Sequence, residues 1–461
     1  MRPVPLSLIA HWAGGELHGE DVMIASIAHD TRTLTDDSLY VALRGERFDG
    51  HDFAVDAEAR GATALLVERR LTSTLPQIRV VDTQRALADI AASMQRDRPG
   101  KVVALTGSNG KTSVKALVMS ILRLAGNAYA NPGNRNNEIG LPLAVIDAPD
   151  DADFAVYEMG AGKPGDIVYL TGIVRPDVAL VNNIAPAHLQ RMHSLLGIAG
   201  TKGAIYSALP AQGTAVVNAD EPFGLWFEQA CIGTPASQRR IHRFGLDHSA
   251  DVRARALRPR DEGTGFILMT PRGEAEVRLR LPGRHNVRNA LAATAVALAC
   301  DVPLATIVEG LNAAEPVPGR QIAHALKPGV TLIDDSYNAN PGSLAAAIET
   351  LAAYPGECWL VLGDMRELGL AAEALHAQAG RHARAAGINR LYALGPLSVA
   401  AAHAFGAGGR SFDMHAALLE ALGADLAGAG PVRVLIKGSR GSAMDRIVAG
   451  LLAGGEHSHV A

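Results

Sequence analysis

The stretch VVALTGSNGKTSVKALVMSIL, from Val102 to Leu122, leaves a chain few folds to choose from. It opens on a continuous apolar run without alternation, the mark of a strand buried on both faces, as in a parallel sheet. Glycines at 107 and 110 interrupt the run. Val114, Leu117, Val118, Ile121 and Leu122 then recur at i, i+3, i+4, i+7 and i+8, which draws one apolar face on a helix. A buried strand that feeds a helix through a tight glycine loop is half of a βαβ unit. The expected fold class is therefore α/β, with helices covering a doubly wound parallel sheet.

The same alternation continues along the 461 residues, and at roughly 100–200 residues per domain that length predicts two to four domains. Three blocks are expected. Residues 1–82 hold short β-like pieces (SLYVALRG, ATALLVE, IRVV) between Gly and Asp turns, a small N-terminal α/β domain. Residues 83–315 begin with the helical TQRALADIAASMQRD. The loop strand and the buried strands DFAVYEMG, PDVALVNNI and GTAVVN follow, giving a central phosphate-loop domain. From Arg253 to Leu281 the pattern turns to antiparallel hairpins, and HNVRNALAATAVALA reads as helix. After a linker at Glu315–Gly319, residues 316–461 show four strands (VTLIDDSY, CWLVLGD, RLYALG, RVLIKGS) separated by helices, a second Rossmann-like domain. The closing AGGEHSHVA is expected to fray.

Composition narrows the function classes. A formal charge of −4 offers no basic footprint for nucleic acid or an anionic membrane. Aromatic residues at 4% are too few for base-stacking platforms. Cys231, Cys300 and Cys358 lie far apart, with neither metal-ligand spacing nor a disulfide framework, which fits a reducing compartment. The N-terminal PVPLSLIA lacks a convincing cleavage site, and the longest apolar run, Ala290–Cys300, falls short of the about 20 residues a membrane span needs. A cytoplasmic protein without membrane insertion is expected.

The loop itself carries chemistry. Its spacing is G-x-x-G-K-T, two residues shorter than the common phosphate-loop pattern, with Leu105 where the first glycine would stand. Glycines still let backbone N–H groups curl round an anion, and the helix start adds its partial positive charge. Lys111 would reach the β- and γ-phosphates, and Thr112 or Ser113 would ligate Mg²⁺. The bland alternative is a strand–helix turn with an incidental lysine; the Lys-Thr pair in this context favours a nucleotide. Glu158 and His188 follow two further strands, on the side where open parallel sheets bind ligands, and are candidate metal ligands. Each also has a plain reading, as a turn cap and a helix-start residue. Lys202 is a surface or phosphate-binding lysine unless modified to an anion.

Taken in order, TGSNGKTS (Thr106–Ser113), YEMGAGKPGDI with Glu158, NNIAPAHL with His188 and GTKGAIY with Lys202 resemble the motifs of the Mur ligase family. That family makes amide bonds on the nucleotide-linked precursors of bacterial peptidoglycan. PGRHNVRNALAA with Asn286 and Asn289, PGR with Arg320, and DDSYNANPGS (Asp334–Ser343) extend the resemblance over nearly the whole chain. YNANP, NPGNRNNEIGLP (Asn131–Pro142) and the segment His29–Phe53 resemble the branch that joins D-alanyl-D-alanine to a UDP-N-acetylmuramoyl tripeptide.

The resemblance implies an ADP-forming ligase working through an acyl phosphate, with ATP and two Mg²⁺ ions. It implies a catalytic set of Lys111, Glu158, His188, Lys202, Asn286 and Arg320. ATP would contact Gly107, Ser108, Asn109, Gly110, Lys111, Thr112, Ser113, Asn286, Asn289, Arg320, Asp335, Tyr337, Asn338 and Asn340. One Mg²⁺ would sit on Thr112 or Ser113 and Glu158. A second would sit on Glu158, His188 and Lys202, the lysine carbamylated into a carboxylate. Asp30, Thr31, Arg32, Asn134, Asn136 and Asn137 would hold the UDP-muramoyl peptide. Lys437, Ser439 and Arg440, with His376 and the loop Gly363–Gly369, follow strands of the third block and are expected to face the dipeptide. A monomer that closes about Glu315–Gly319 is expected. The loop alone would also suit folylpolyglutamate synthase, or an ATPase that ligates nothing; a silent scaffold would have no use for a complete loop.

Overall fold

The computed structural model describes residues 1–186, 189–233, 238–260 and 263–456. Three α/β layers follow one another along it. In the first, strands Glu16–His18, Gln77–Arg79, Ala62–Val67, Ser38–Val41 and Ser26–Ala28 lie in that order, parallel except for the first pair.

The second sheet is entirely parallel, in the order Arg240–Phe244, Thr214–Asn218, Val178–Val181, Lys101–Thr106, Phe154–Glu158, Ala128–Ala130. The loop strand, Lys101–Thr106, is central. Its Val102–Thr106 are all buried, as the unbroken apolar run requires. The helix Lys111–Ala125 buries Val114, Leu117, Val118, Ile121 and Leu122, the five residues of the expected stripe. They pack on the helix Arg284–Ala299, which is buried along most of its length. The chain passes from one side of the loop strand to the other between Glu158 and Val178. The carboxyl ends of three neighbouring strands therefore frame a crevice there. The Arg253–Leu281 region forms a three-stranded antiparallel sheet, Arg253–Arg260, Gly263–Thr270 and Gly273–Leu279, as its hairpin pattern predicts.

The third sheet has six strands, two more than the four expected. Their order is Ile322–Lys327, Val330–Asp335, Val432–Lys437, Glu357–Gly363, Arg390–Leu394, Gly409–Phe412. The added strands, Ile322–Lys327 and Gly409–Phe412, are the two edges. Both are partly exposed and mixed in polarity, so neither shows the apolar run that marks the four inner strands. Ala128–Ala130 and Arg240–Phe244 escape notice in the second sheet for the same reason. The last helix, Asp445–Glu456, takes in the first residues of the stretch expected to fray; the remainder of that stretch lies outside the described residues.

Candidate active site

A cavity of ≈ 900 Å³ opens between the second and third sheets, floored by the phosphate loop. The loop is braced from below by asparagines. Ser108 N–H donates to Asn183 O at 2.9 Å, and Asn109 N–H to Asn183 Oδ1 at 2.8 Å. Asn182 Nδ2 donates to Asn109 O at 3.0 Å and to Asn289 Oδ1 at 3.1 Å. Gly110, at φ 76°, passes so close to this brace that a Cβ would lie 2.6 Å from Asn182 Nδ2 and from Asn289 Oδ1. A side chain there would meet both a left-handed backbone and two fixed amides. Asn182 and Asn183 join the expected site residues; their only mark in the sequence is a pair of adjacent asparagines closing a buried strand.

Lys111 Nζ donates back to Gly107 O at 2.8 Å, while Thr112 Oγ1 donates to Glu158 Oε2 at 3.0 Å. Glu158 is buried at the end of its strand and also accepts from Asn136 Nδ2 at 3.1 Å, with Lys115 Nζ 3.3 Å away. Burial pushes its carboxyl upward. Lys115 and Lys111, together with the hydrogen bonds from Thr112 and Asn136, outweigh that and hold it below the ordinary carboxylate value. Lys111 is itself lowered, first by burial and then by Arg320, against the pull of Glu158. Lys202 is almost fully buried in the helix Leu195–Ser207, and burial followed by Lys111 drives its ammonium far down. His188 lies outside the described residues. Ser113, Asn134 and Asn137 line the same cavity.

The third sheet reaches into the site from above. Arg320 Nη2 donates to Thr112 Oγ1 at 3.0 Å, and its guanidinium lies 4.5 Å from the Tyr337 ring centre. Asn340 caps the helix Pro341–Ala352, accepting from Ser343 N–H at 2.9 Å. Its Nδ2 also donates to Asn109 Oδ1 at 2.6 Å, so one residue caps the helix and grips the loop. Asn286 reaches Gln321 Oε1 at 3.4 Å, and Asn289 bonds Asn286 at 3.3 Å. Asp335 is buried against Lys437 Nζ at 2.6 Å; burial raises its carboxyl despite Lys437 and Arg320.

Two residues expected to touch the dipeptide, Ser439 and His376, are placed inside the protein instead, and a third, Lys437, lies in the cavity wall but is largely covered. Lys437 is 3% exposed and spends its ammonium on Asp335 and on Asn338 O. Ser439 is buried, its hydroxyl accepting from Arg366 N–H and donating to Ala339 O. His376 is fully buried: Nε2 accepts from Met365 N–H at 2.9 Å and Nδ1 donates to Ala372 O at 2.7 Å. With both ring nitrogens engaged, it shapes the loop Gly363–Gly369 and does not face a ligand. Arg440 is exposed, 5.7 Å from the Tyr337 ring, and Asn338 is exposed beside it. Asp30, Thr31 and Arg32 stand apart from the cavity, on a short turn where Asp30 accepts from Arg32 N–H at 3.0 Å and pairs with its guanidinium.

A phosphate loop beside a buried carboxylate, and an arginine brought to it from the segment that enters the third sheet, fit a nucleotide-dependent ligase architecture. Residues 23–95 match the Mur ligase family catalytic domain, 105–297 the Mur ligase middle domain and 319–440 the Mur ligase glutamate ligase domain. The chain belongs to the Mur ligase family. Among its relatives is the UDP-N-acetylmuramoyl-tripeptide–D-alanyl-D-alanine ligase of Escherichia coli K12, 44% identical over 99% of this chain and 100% of that one. MurF from Acinetobacter baumannii superposes with a TM-score of 0.92 at 32% identity, over 98% of this chain and 99% of that one. The MurF ligase of Thermotoga maritima in complex with ADP gives 0.82 at 26% identity, over 94% and 98%.

Proposed function

We propose that the chain joins D-alanyl-D-alanine to a UDP-N-acetylmuramoyl tripeptide, consuming ATP and releasing ADP and phosphate, in the synthesis of cell-wall precursors. The observation that carries the reading is the hydrogen-bonded line Arg320–Thr112–Glu158, which ends beside Asn136. It aims a phosphate-binding loop at the wall where an acceptor carboxylate would lie. The full-length relatives supply the substrates. The active chain is a cytoplasmic monomer in this reading, divided at 82/83 and 315/316. No helix among the described residues is long and apolar enough to cross a membrane.

The donor set suits a hard cation: a buried, ionised carboxylate and a hydroxyl at a helix start, 3.0 Å apart. Thr112 or Ser113 and Glu158 would hold one Mg²⁺, and Glu158, His188 and carbamylated Lys202 a second. A cation held by these residues would supply charge neutralisation for the phosphate and carboxylate anions.

The loop N–H groups and Lys111 hold the phosphates, and Lys111 turns from Gly107 O to do so. Arg320 adds a second cation to the charge that develops as the carboxylate is phosphorylated. Tyr337, Asn338 and Asn340, with Asn286, Asn289 and Asp335 behind them, grip the nucleotide where the two sheets meet. Asn134, Asn136 and Asn137 hold the peptide end of the acceptor, and Asp30, Thr31 and Arg32 its uridine end. In the same reading Arg440 meets the incoming dipeptide, with Lys437 and Ser439 supporting that wall. Closure about Glu315–Gly319 excludes water, which would otherwise hydrolyse the acyl phosphate.

The deciding assay measures phosphate release from ATP with UDP-N-acetylmuramoyl tripeptide present. Release that depends on D-alanyl-D-alanine supports the reading. Release that ignores the dipeptide, or that appears with a folate and glutamate instead, overturns it.

A further inference from the structure

Lys115 occupies the junction of the two halves of the site. It lies one turn beyond Lys111 on the phosphate-loop helix and is 7% exposed. Its ammonium has three acceptors: Asn131 O at 2.9 Å, Gly133 O at 3.2 Å and Glu158 Oε2 at 3.3 Å. An ammonium has three protons, so its capacity is filled. Ser113, Ala116 and Leu117 line the cavity, whereas Lys115 lies behind its wall.

Two of these acceptors belong to the loop that carries Asn134, Asn136 and Asn137. That loop is stitched to the Glu158 strand by Glu158 N–H to Asn131 Oδ1 at 2.8 Å and by Gly160 N–H to Asn136 O at 2.8 Å. Glu158 offers Oε1 to Asn136 and Oε2 to Thr112 and Lys115. The nucleotide side and the acceptor side thus meet on one carboxylate, and Lys115 fixes that carboxylate and the loop backbone together. A buried cation is a poor device for stability alone, because desolvation offsets much of the attraction. Its value here is geometric.

We propose that Lys115 is a positioning residue that locks the acceptor-binding loop to the phosphate-loop helix, so that the acceptor carboxylate is presented to the γ-phosphate in register. The inference rests on the ligase reading above. Displacement of a reacting group by about 1 Å is enough to cost about 10²-fold in rate.

The test compares wild type, Lys115→Met, Asn136→Ala and the double variant. Dipeptide-dependent phosphate release is measured in each, and ADP binding is followed separately by calorimetry. Lys115→Met is expected to lower kcat/KM for the UDP-N-acetylmuramoyl tripeptide about 10- to 100-fold, with ADP affinity within about threefold of wild type. The double variant is expected to lose little more than the weaker single variant, because both residues act through the same loop and carboxylate. Multiplicative losses, an equal fall in ADP affinity, or unchanged activity in Lys115→Met would overturn the proposal. If Lys115→Met does not yield folded protein, Lys115→Arg enters the same cycle. It keeps the charge but replaces the compact ammonium with a larger planar fork, and the same outcomes decide. A wild type without dipeptide-dependent release defeats the ligase reading; an active wild type with an indifferent Lys115 variant defeats this inference alone.

Discussion

Arg320 and Thr112 are 208 positions apart in sequence, and Arg320 Nη2 donates to Thr112 Oγ1 at 3.0 Å. The hydroxyl in turn donates its own hydrogen bond to Glu158 Oε2. A side chain beside the third sheet is therefore in line with the carboxylate that ends a strand of the second. Arg320→Ala should lower kcat by about 10²- to 10³-fold, the scale of losing one charge-stabilising donor. Arg320→Lys should recover little, since an ammonium cannot both bond Thr112 and lie flat on Tyr337. Steady-state phosphate release, with circular dichroism to confirm folding, checks both.

Gly110→Ala tests the loop's backbone. At φ 76° a Cβ costs about 1–2 kcal/mol before any clash, and here it would press on Asn182 and Asn289 at 2.6 Å. ATP affinity measured by calorimetry is expected to fall at least about tenfold, which corresponds to about 1.4 kcal/mol, with the fold retained.

How much of this was legible beforehand depended on how local the cause was. The loop strand and helix were readable because period and glycine spacing are local signals, and the five apolar residues of the helix are all buried. Asn340 was readable as a helix cap, since capping acts over three residues; its hold on Asn109, 231 positions away, was not. Lys115 stands beside Val114 on the buried side of its helix, where a charge passes for a stray surface residue until Asn131, Gly133 and Glu158 arrive from elsewhere. His376 erred in the opposite direction. A histidine near a glycine-flanked loop reads as a ligand-facing group, and the tertiary fold instead satisfies both its ring nitrogens internally. The missed strands are sheet edges, where half-burial erases the apolar run.

His285 gives a pH dependence. Burial, then Lys437, then Arg288 lower its imidazole from 6.5 to about 4, against a hydrogen bond to Gln321. Above pH 6.5 it is neutral folded or unfolded and contributes nothing to the pH dependence. As pH falls from 6.5 towards 4 the unfolded chain takes up a proton that the folded chain refuses, so stability falls, and below 4 the loss is complete. The full loss is on the order of 3 kcal/mol. His285→Gln should flatten that part of the stability profile in urea titrations between pH 7 and 4. An unchanged slope would remove His285 from the account.

His376→Ala deletes the acceptor of Met365 N–H and leaves that buried donor unsatisfied, a cost of about 1–3 kcal/mol in denaturant unfolding. If the loop Gly363–Gly369 forms part of the dipeptide wall, KM for D-alanyl-D-alanine should rise severalfold while ADP affinity holds. A fall in ADP affinity of the same size would show that the damage is general.

Lys202 supplies the sharpest test of the metal arrangement. An ammonium cannot ligate a cation, but burial and the nearby Lys111 depress this one strongly, and the neutral amine is the form that takes up carbon dioxide. The resulting carbamate would be an anionic oxygen group able to ligate a cation, as the proposed arrangement requires. Lys202→Ala should cut turnover by about 10²-fold or more, the loss expected when charge stabilisation is removed from the reacting centre. It also opens space in a buried helix face, into which formate or acetate could bring back a carboxylate. Partial recovery with added short carboxylates, scaling with their concentration, is the expected result. Full activity in the variant would exclude Lys202 from catalysis. Lost activity that no carboxylate restores, in a variant that still binds ADP, would assign Lys202 to packing and remove it from the proposed metal ligands.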